Sequence, residues 1–179
     1  MQLLKRRFFA MRNGAVADSL RRQGAPYRII FGLNLPQIAE IARDFGPDAD
    51  LALQLRANTA TRESMLIAPM LYPAGDLTAD MAYEWLADAP TTEVIDVVCL
   101  KLIKHMDNPE TVIRRLSASE ESLHRYAAIR LGANILPVSM DLVEEIARQE
   151  YARRDPMTMT ASHMLLDDID WRKTCKYNE

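Results

Sequence analysis

The feature that most constrains this chain is how often its apolar periodicity is interrupted. Apolar residues recur at three- and four-residue spacing in many short segments, and Pro or Gly closes most of them. In "NLPQIAEIARDFG", Leu35, Ile38, Ala39, Ala42 and Phe45 share a helical face, Pro36 suits a first turn, and Gly46-Pro47 stops the helix. Further helices are expected over residues 1–12, 15–23, 48–57 and 60–71, the last bent or ended by Pro69. Others are expected from Thr78, after Pro90, through "NPETVIRRL", from a Ser117/Glu120 capping box to about Ile135, and over 139–153 and 156–169. "YRIIF" is the one β-like run, and a sheet needs partners. The chain is therefore all-α. Short, numerous helices suit stacked HEAT-type pairs better than a globin or a four-helix bundle.

With 179 residues, the chain has the length of one ordinary domain and can bury roughly two thirds of its unfolded surface. A single helical domain is expected over 1–179, with 170–179 a polar C-terminal tail. Cys99 and Cys175 form no CxxC and read as reduced thiols of a cytoplasmic protein. His105, His124 and His163 have no metal-ligand spacing, so neither metal nor cofactor is expected. No apolar run approaches the ~18 residues of a membrane span.

The net charge of −3 hides an asymmetry. Residues 1–30 carry Lys5, Arg6, Arg7, Arg12, Arg21, Arg22 and Arg28 against Asp18 alone, whereas residues 31–110 are strongly acidic. Such a segment is either a solvated basic face or a contact for an anionic partner. Its first residues could pass for a transit peptide but also read as an amphipathic helix.

The stretch "TTEVIDVVCLKLIKHM" places Asp96 inside a run of Val, Ile, Cys and Leu. On a helix, Asp96 falls with Thr92, Cys99, Leu100 and Ile103, away from the side that collects Glu93, Lys101, Lys104 and His105. A carboxylate there needs a cationic partner or a cleft. Arg62, Arg125 and Arg130 are candidate partners. Lining a groove, Asp96 could instead stabilise a developing cation or orient a water.

"FGLNLPQIAEIA", "TRESMLIAPML", "YEWLADAPTTEVIDVVC" and "SASEESLHRYAAIRL", in this order, resemble the DNA alkylation repair family of HEAT-like repeat proteins, the AlkD-type alkylpurine DNA glycosylases. The resemblance runs from about residue 20 to 136. It implies a curved α-solenoid holding duplex DNA on a concave face and excising cationic alkylated purines without metal or cofactor. Asp96 falls at the family's catalytic Asp, and the resemblance implies that Arg62, Thr92, Arg125 and Tyr126 lie along the DNA-binding face. Two positions depart from the family pattern. Thr92 stands where the family has Trp, and Tyr126 stands where it has a phosphate-contacting Arg, Arg125 being displaced by one. The later repeats look shortened, leaving Trp171 as a substitute aromatic wall. The alternative reading is a non-catalytic helical-repeat protein that binds DNA or a protein partner.

Overall fold

The computed structural model describes residues 1–176. Eleven α-helices and two 3-10 turns make up the architecture, and no strand forms among the described residues. The fold is an all-α helical repeat. The described residues fall into two compact units, Met1–Ala74 and the chain from Gly75 onward.

The first unit holds α1 (Gln2–Ala10), α2 (Gly14–Arg22), α3 (Leu35–Phe45), α4 (Ala49–Arg56) and α5 (Arg62–Leu71). Asn34 and Gln37 close a full capping box on α3, with Pro36 in its first turn, and Gly46 ends it at φ +71°. Helix α5 is the unit's centre: every residue from Arg62 to Pro69 is buried, and both α3 and α4 pack on it. Pro69 neither ends nor replaces this helix, which continues to Leu71. "YRIIF" forms no sheet. Ile29 instead makes an isolated parallel bridge with Thr61: the Ile29 amide donates to Ala60 O (2.9 Å), and the Arg62 amide donates to Ile29 O (3.1 Å).

A buried carboxylate organises the next residues. Glu63, with no exposed surface, accepts from the amides of Phe31 (3.0 Å), Gly32 (2.9 Å) and Leu33 (3.3 Å). These amides belong to irregular backbone that no helix or sheet would satisfy. Gly32 sits at φ +78°, and a Cβ there would come within 2.2 Å of Asn13 O. The Asn13 amide in turn donates to Phe31 O (2.8 Å), which ties the α1–α2 turn to this loop.

The second unit holds α6 (Ala79–Ala87), α7 (Thr92–Lys101), α8 (Glu110–Ser117), α9 (Ser122–Ile135), α10 (Met140–Arg153) and α11 (Met159–Lys176). Helices α6, α8 and α10 pack in sequence along one layer, and α7, α9 and α11 along the other. The pairs α6–α7, α8–α9 and α10–α11 join the layers, as a stack of helical repeats requires. Gly132 lets this stack close. A Cβ there would approach Val143 Cγ1 to 3.1 Å and Ile113 Cδ1 to 3.3 Å.

Three local expectations are corrected. The helix after Pro90 stops at Lys101, and a 3-10 turn over Ile103–His105 follows. Ser117 is no cap: it is the last residue of α8, and its hydroxyl donates back to Arg114 O (3.0 Å). Nor is the stretch from residue 170 a tail as far as it is described, because α11 carries it to Lys176; residues 177–179 lie outside the described residues. Among the described residues, no helix is long and apolar enough to cross a membrane.

Replacing Glu63 with Ala leaves three amides unsatisfied and removes the carboxylate beside Arg62. Urea unfolding followed by circular dichroism is expected to show a loss of about 3–5 kcal/mol.

Candidate functional site

Helix α7 is buried on most of its surface. Val94, Ile95, Val97, Val98 and Cys99 are core, while Thr92, Asp96 and Leu100, spaced by four, remain partly or fully exposed. Thr91 caps the helix by accepting from the Val94 amide (3.3 Å). Helix α9, packed beside it, buries Ala127, Ala128, Ile129 and Leu131 and leaves Tyr126 and Arg130 half-buried, one turn apart. The two half-exposed stripes meet at Asp96.

There the Arg130 Nε–H donates to Asp96 Oδ1 (2.6 Å), and the Tyr126 hydroxyl lies 3.2 Å from Oδ1 and 3.4 Å from Oδ2. Of the three candidate cations, Arg130 is the partner. The bridge is not sealed, since 37% of the Asp96 side chain and 38% of the Arg130 side chain stay exposed. Such a pair contributes little to stability. Its geometry is side-on: Nε is engaged, and among the described residues neither terminal guanidinium nitrogen has a partner. Burial opposes the charge on Arg130, and the bond to Asp96 outweighs it, so its pKa lies above the ordinary arginine value. Partial burial, with the adjacent Asp96 charge, pushes the Tyr126 phenol up to about 12. Beneath them Cys99 is fully buried, its thiol 3.9 Å from Ala127 O, and burial raises its pKa far above the thiol range. It is held as a neutral core residue, not a nucleophile.

The other expected residues are placed differently. Arg125 is turned inward, 6% exposed. Its Nε–H donates to Glu150 (3.0 Å), one terminal nitrogen to Ser119 O (3.1 Å) and Glu120 O (2.6 Å), and the other to Ser122 Oγ (3.2 Å) and Asp155 (2.5 Å). Those bonds use all the N–H donors a guanidinium has. Its expected role at a phosphate is therefore corrected: Arg125 clamps the start of α9 to α10 and to the α10–α11 corner. Arg62 is likewise buried, donating to Leu33 O (3.0 Å) and Glu63 (3.1 Å). It braces the Glu63 loop rather than presenting a surface cation. Thr92 is exposed, one turn before Asp96. Trp171 is 63% exposed on α11. Arg130 is the site residue that sequence reasoning named only as a possible partner. Its spacing of four from Tyr126 was the available signal. Among the described residues, no group of three or more His, Cys, Asp or Glu is placed to hold a metal ion.

Fold and site together define a helical-repeat protein that presents one carboxylate, flanked by a phenol and a guanidinium, on the seam between two stacked helices. Residues 4–171 match the family model described as DNA alkylation repair enzyme, and the chain belongs to that family. Membership supports a role in DNA repair. Comparison with curated proteins and with solved structures gives no match.

Two outcomes test this geometry. In an ultraviolet pH titration, Tyr126→Phe removes a phenol that ionises at about pH 12, and Asp96→Asn moves that phase to lower pH. Because the folded pKa of Tyr126 is raised from 10.0 to about 12, its contribution to stability is complete below pH 10 and is lost as pH rises toward 12. Arg125→Lys keeps the charge but not the fork. It is expected to lower the unfolding free energy by about 2–3 kcal/mol in urea unfolding followed by circular dichroism.

Proposed function

We propose that this protein binds duplex DNA as one helical-repeat domain and excises cationic alkylated purines, Asp96 stabilising the oxocarbenium-like sugar. The observation that carries this reading is the open side of the carboxylate. Asp96 Oδ2 has only the long Tyr126 contact (3.4 Å) among the described residues, and more than a third of the side chain faces solvent. A cationic base is already a good leaving group, so the enzyme's part is to stabilise positive charge developing on the sugar. A fixed carboxylate does that without metal or covalent intermediate. Tyr126 orients the carboxylate through its hydroxyl and places an aromatic ring beside it, where a ring face would favour a cationic base. The free terminal nitrogens of Arg130 suit a backbone phosphate next to the nucleotide.

One observation favours the alternative, a non-catalytic helical-repeat protein that binds DNA or a protein partner. Arg130 already neutralises the Asp96 charge, and Thr92 offers no aromatic wall one turn away.

The deciding measurement is base release from methylated duplex DNA. Wild type is expected to liberate alkylated purines, and Asp96→Asn to slow this by about 100-fold or more. Absence of release by wild type, with salt-sensitive duplex binding intact, selects the binding protein instead. Loss of both selects a protein-interaction scaffold.

A further inference from the structure

The basic N-terminal segment has a built surface that the Asp96 site does not use. Helix α1 buries Leu4 and Phe8 completely in the first unit. At about 100° per residue, Lys5, Phe9 and Arg6 lie in that order around the exposed side, from the flank of the Leu4–Phe8 stripe to its far face. Phe9 is 58% exposed, large for an aromatic ring. It is also held in place: the Arg12 guanidinium lies over the ring, 3.8 Å from its centroid, and one of its terminal nitrogens donates to Phe9 O (2.9 Å). Among the described residues, no ion pair involves Lys5, Arg6 or Arg12, whereas neighbouring Arg7 is bound to Asp44. Three uncompensated cations thus surround one fixed, exposed aromatic ring in a chain of net charge −3.

We infer that the outward face of α1, with Arg12, is a platform for single-stranded nucleic acid. An unpaired base stacks on the Phe9–Arg12 pair, and Lys5 and Arg6 take the flanking phosphates. The chemistry selects this occupant. Cations alone would serve any polyanion, but a preorganised ring with a stacked guanidinium matches the π-face of a base, which a duplex keeps hidden. An anionic membrane fits less well. A helix lying in a bilayer surface must offer its apolar face to lipid, and here Leu4 and Phe8 are already spent in the core. The other large apolar residues of α1, Leu3 and Phe9, point to different sides of it.

The proposal is independent of catalysis at Asp96. It is tested with the full chain and a fluorescent oligothymidine of about 16 nucleotides, read by anisotropy. Binding to the wild type is expected, weakened by about tenfold in Phe9→Ala and retained in Phe9→Tyr. The Lys5→Gln/Arg6→Gln double variant should flatten the log–log salt slope by about 1.4. Circular dichroism checks that each variant is folded. Unchanged affinity in Phe9→Ala overturns the proposal. So does a duplex of equal length that binds as tightly with the same variant response, which would reduce the face to charge alone. Binding to phosphatidylcholine–phosphatidylserine vesicles that is lost in Phe9→Ala, with no oligothymidine binding, assigns the face to lipid instead. Base release from methylated duplex, measured in parallel, separates this outcome from failure of the Asp96 reading.

Discussion

The second unit depends on the buried bond between Arg125 and Glu150. One guanidinium gathers a carboxylate from α10, another from the α10–α11 corner and two carbonyls ahead of α9. Thr158 adds its hydroxyl to Glu150 at 2.6 Å, so the acid is itself held from two sides. The clamp fixes the rotation of α9 about its own axis. With Arg125 pointing inward, Tyr126 is turned by about 100° to the edge of the α7 seam, and Arg130 follows one turn later. Both then reach Asp96. The geometry of the exposed carboxylate is thus set by a cation that never touches it.

The first unit uses the same chemistry for a different purpose. Arg62 and Glu63 are adjacent in sequence and both buried, but the carboxylate is spent on backbone amides rather than on joining helices. A buried charge is tolerated where it replaces hydrogen bonds that irregular backbone would otherwise lack. Each unit therefore contains one buried acid whose removal would leave several donors unsatisfied. In each, that acid lies close to the basic residue that sequence patterns single out.

Helical content and segment order were legible because Pro, Gly and capping residues punctuate the chain at its real breaks: Asn34, Thr78 and Thr91 all cap. Asp96 stood out for a sound reason, since a carboxylate among apolar neighbours demands a partner. Which arginine supplies it was not legible. Arg125 and Arg130 lie on the same helix, and only the packing of α10 and α11 on α9 decides which faces inward. The Ser117/Glu120 motif misled because a serine at a helix end can bond backward as readily as forward. "YRIIF" carries strand-like residues, yet only Ile29 among them makes a bridge, to Thr61. Its polar groups are satisfied by the start of α5 and by Glu63 rather than by a second strand.

The side-on bridge between Asp96 and Arg130 also determines how far the site can be felt. Opposite charges held 2.6 Å apart form a dipole, whose potential dies away faster with distance than that of a lone carboxylate, even before salt screens it. A cation approaching from solvent meets almost no pull. It senses Asp96 only at contact, where Oδ2, held only by the long Tyr126 contact, is nearer than the guanidinium. Under the proposed chemistry, an alkylated base would be distinguished after docking rather than during search. The site would act as a short-range inspector, not as a beacon.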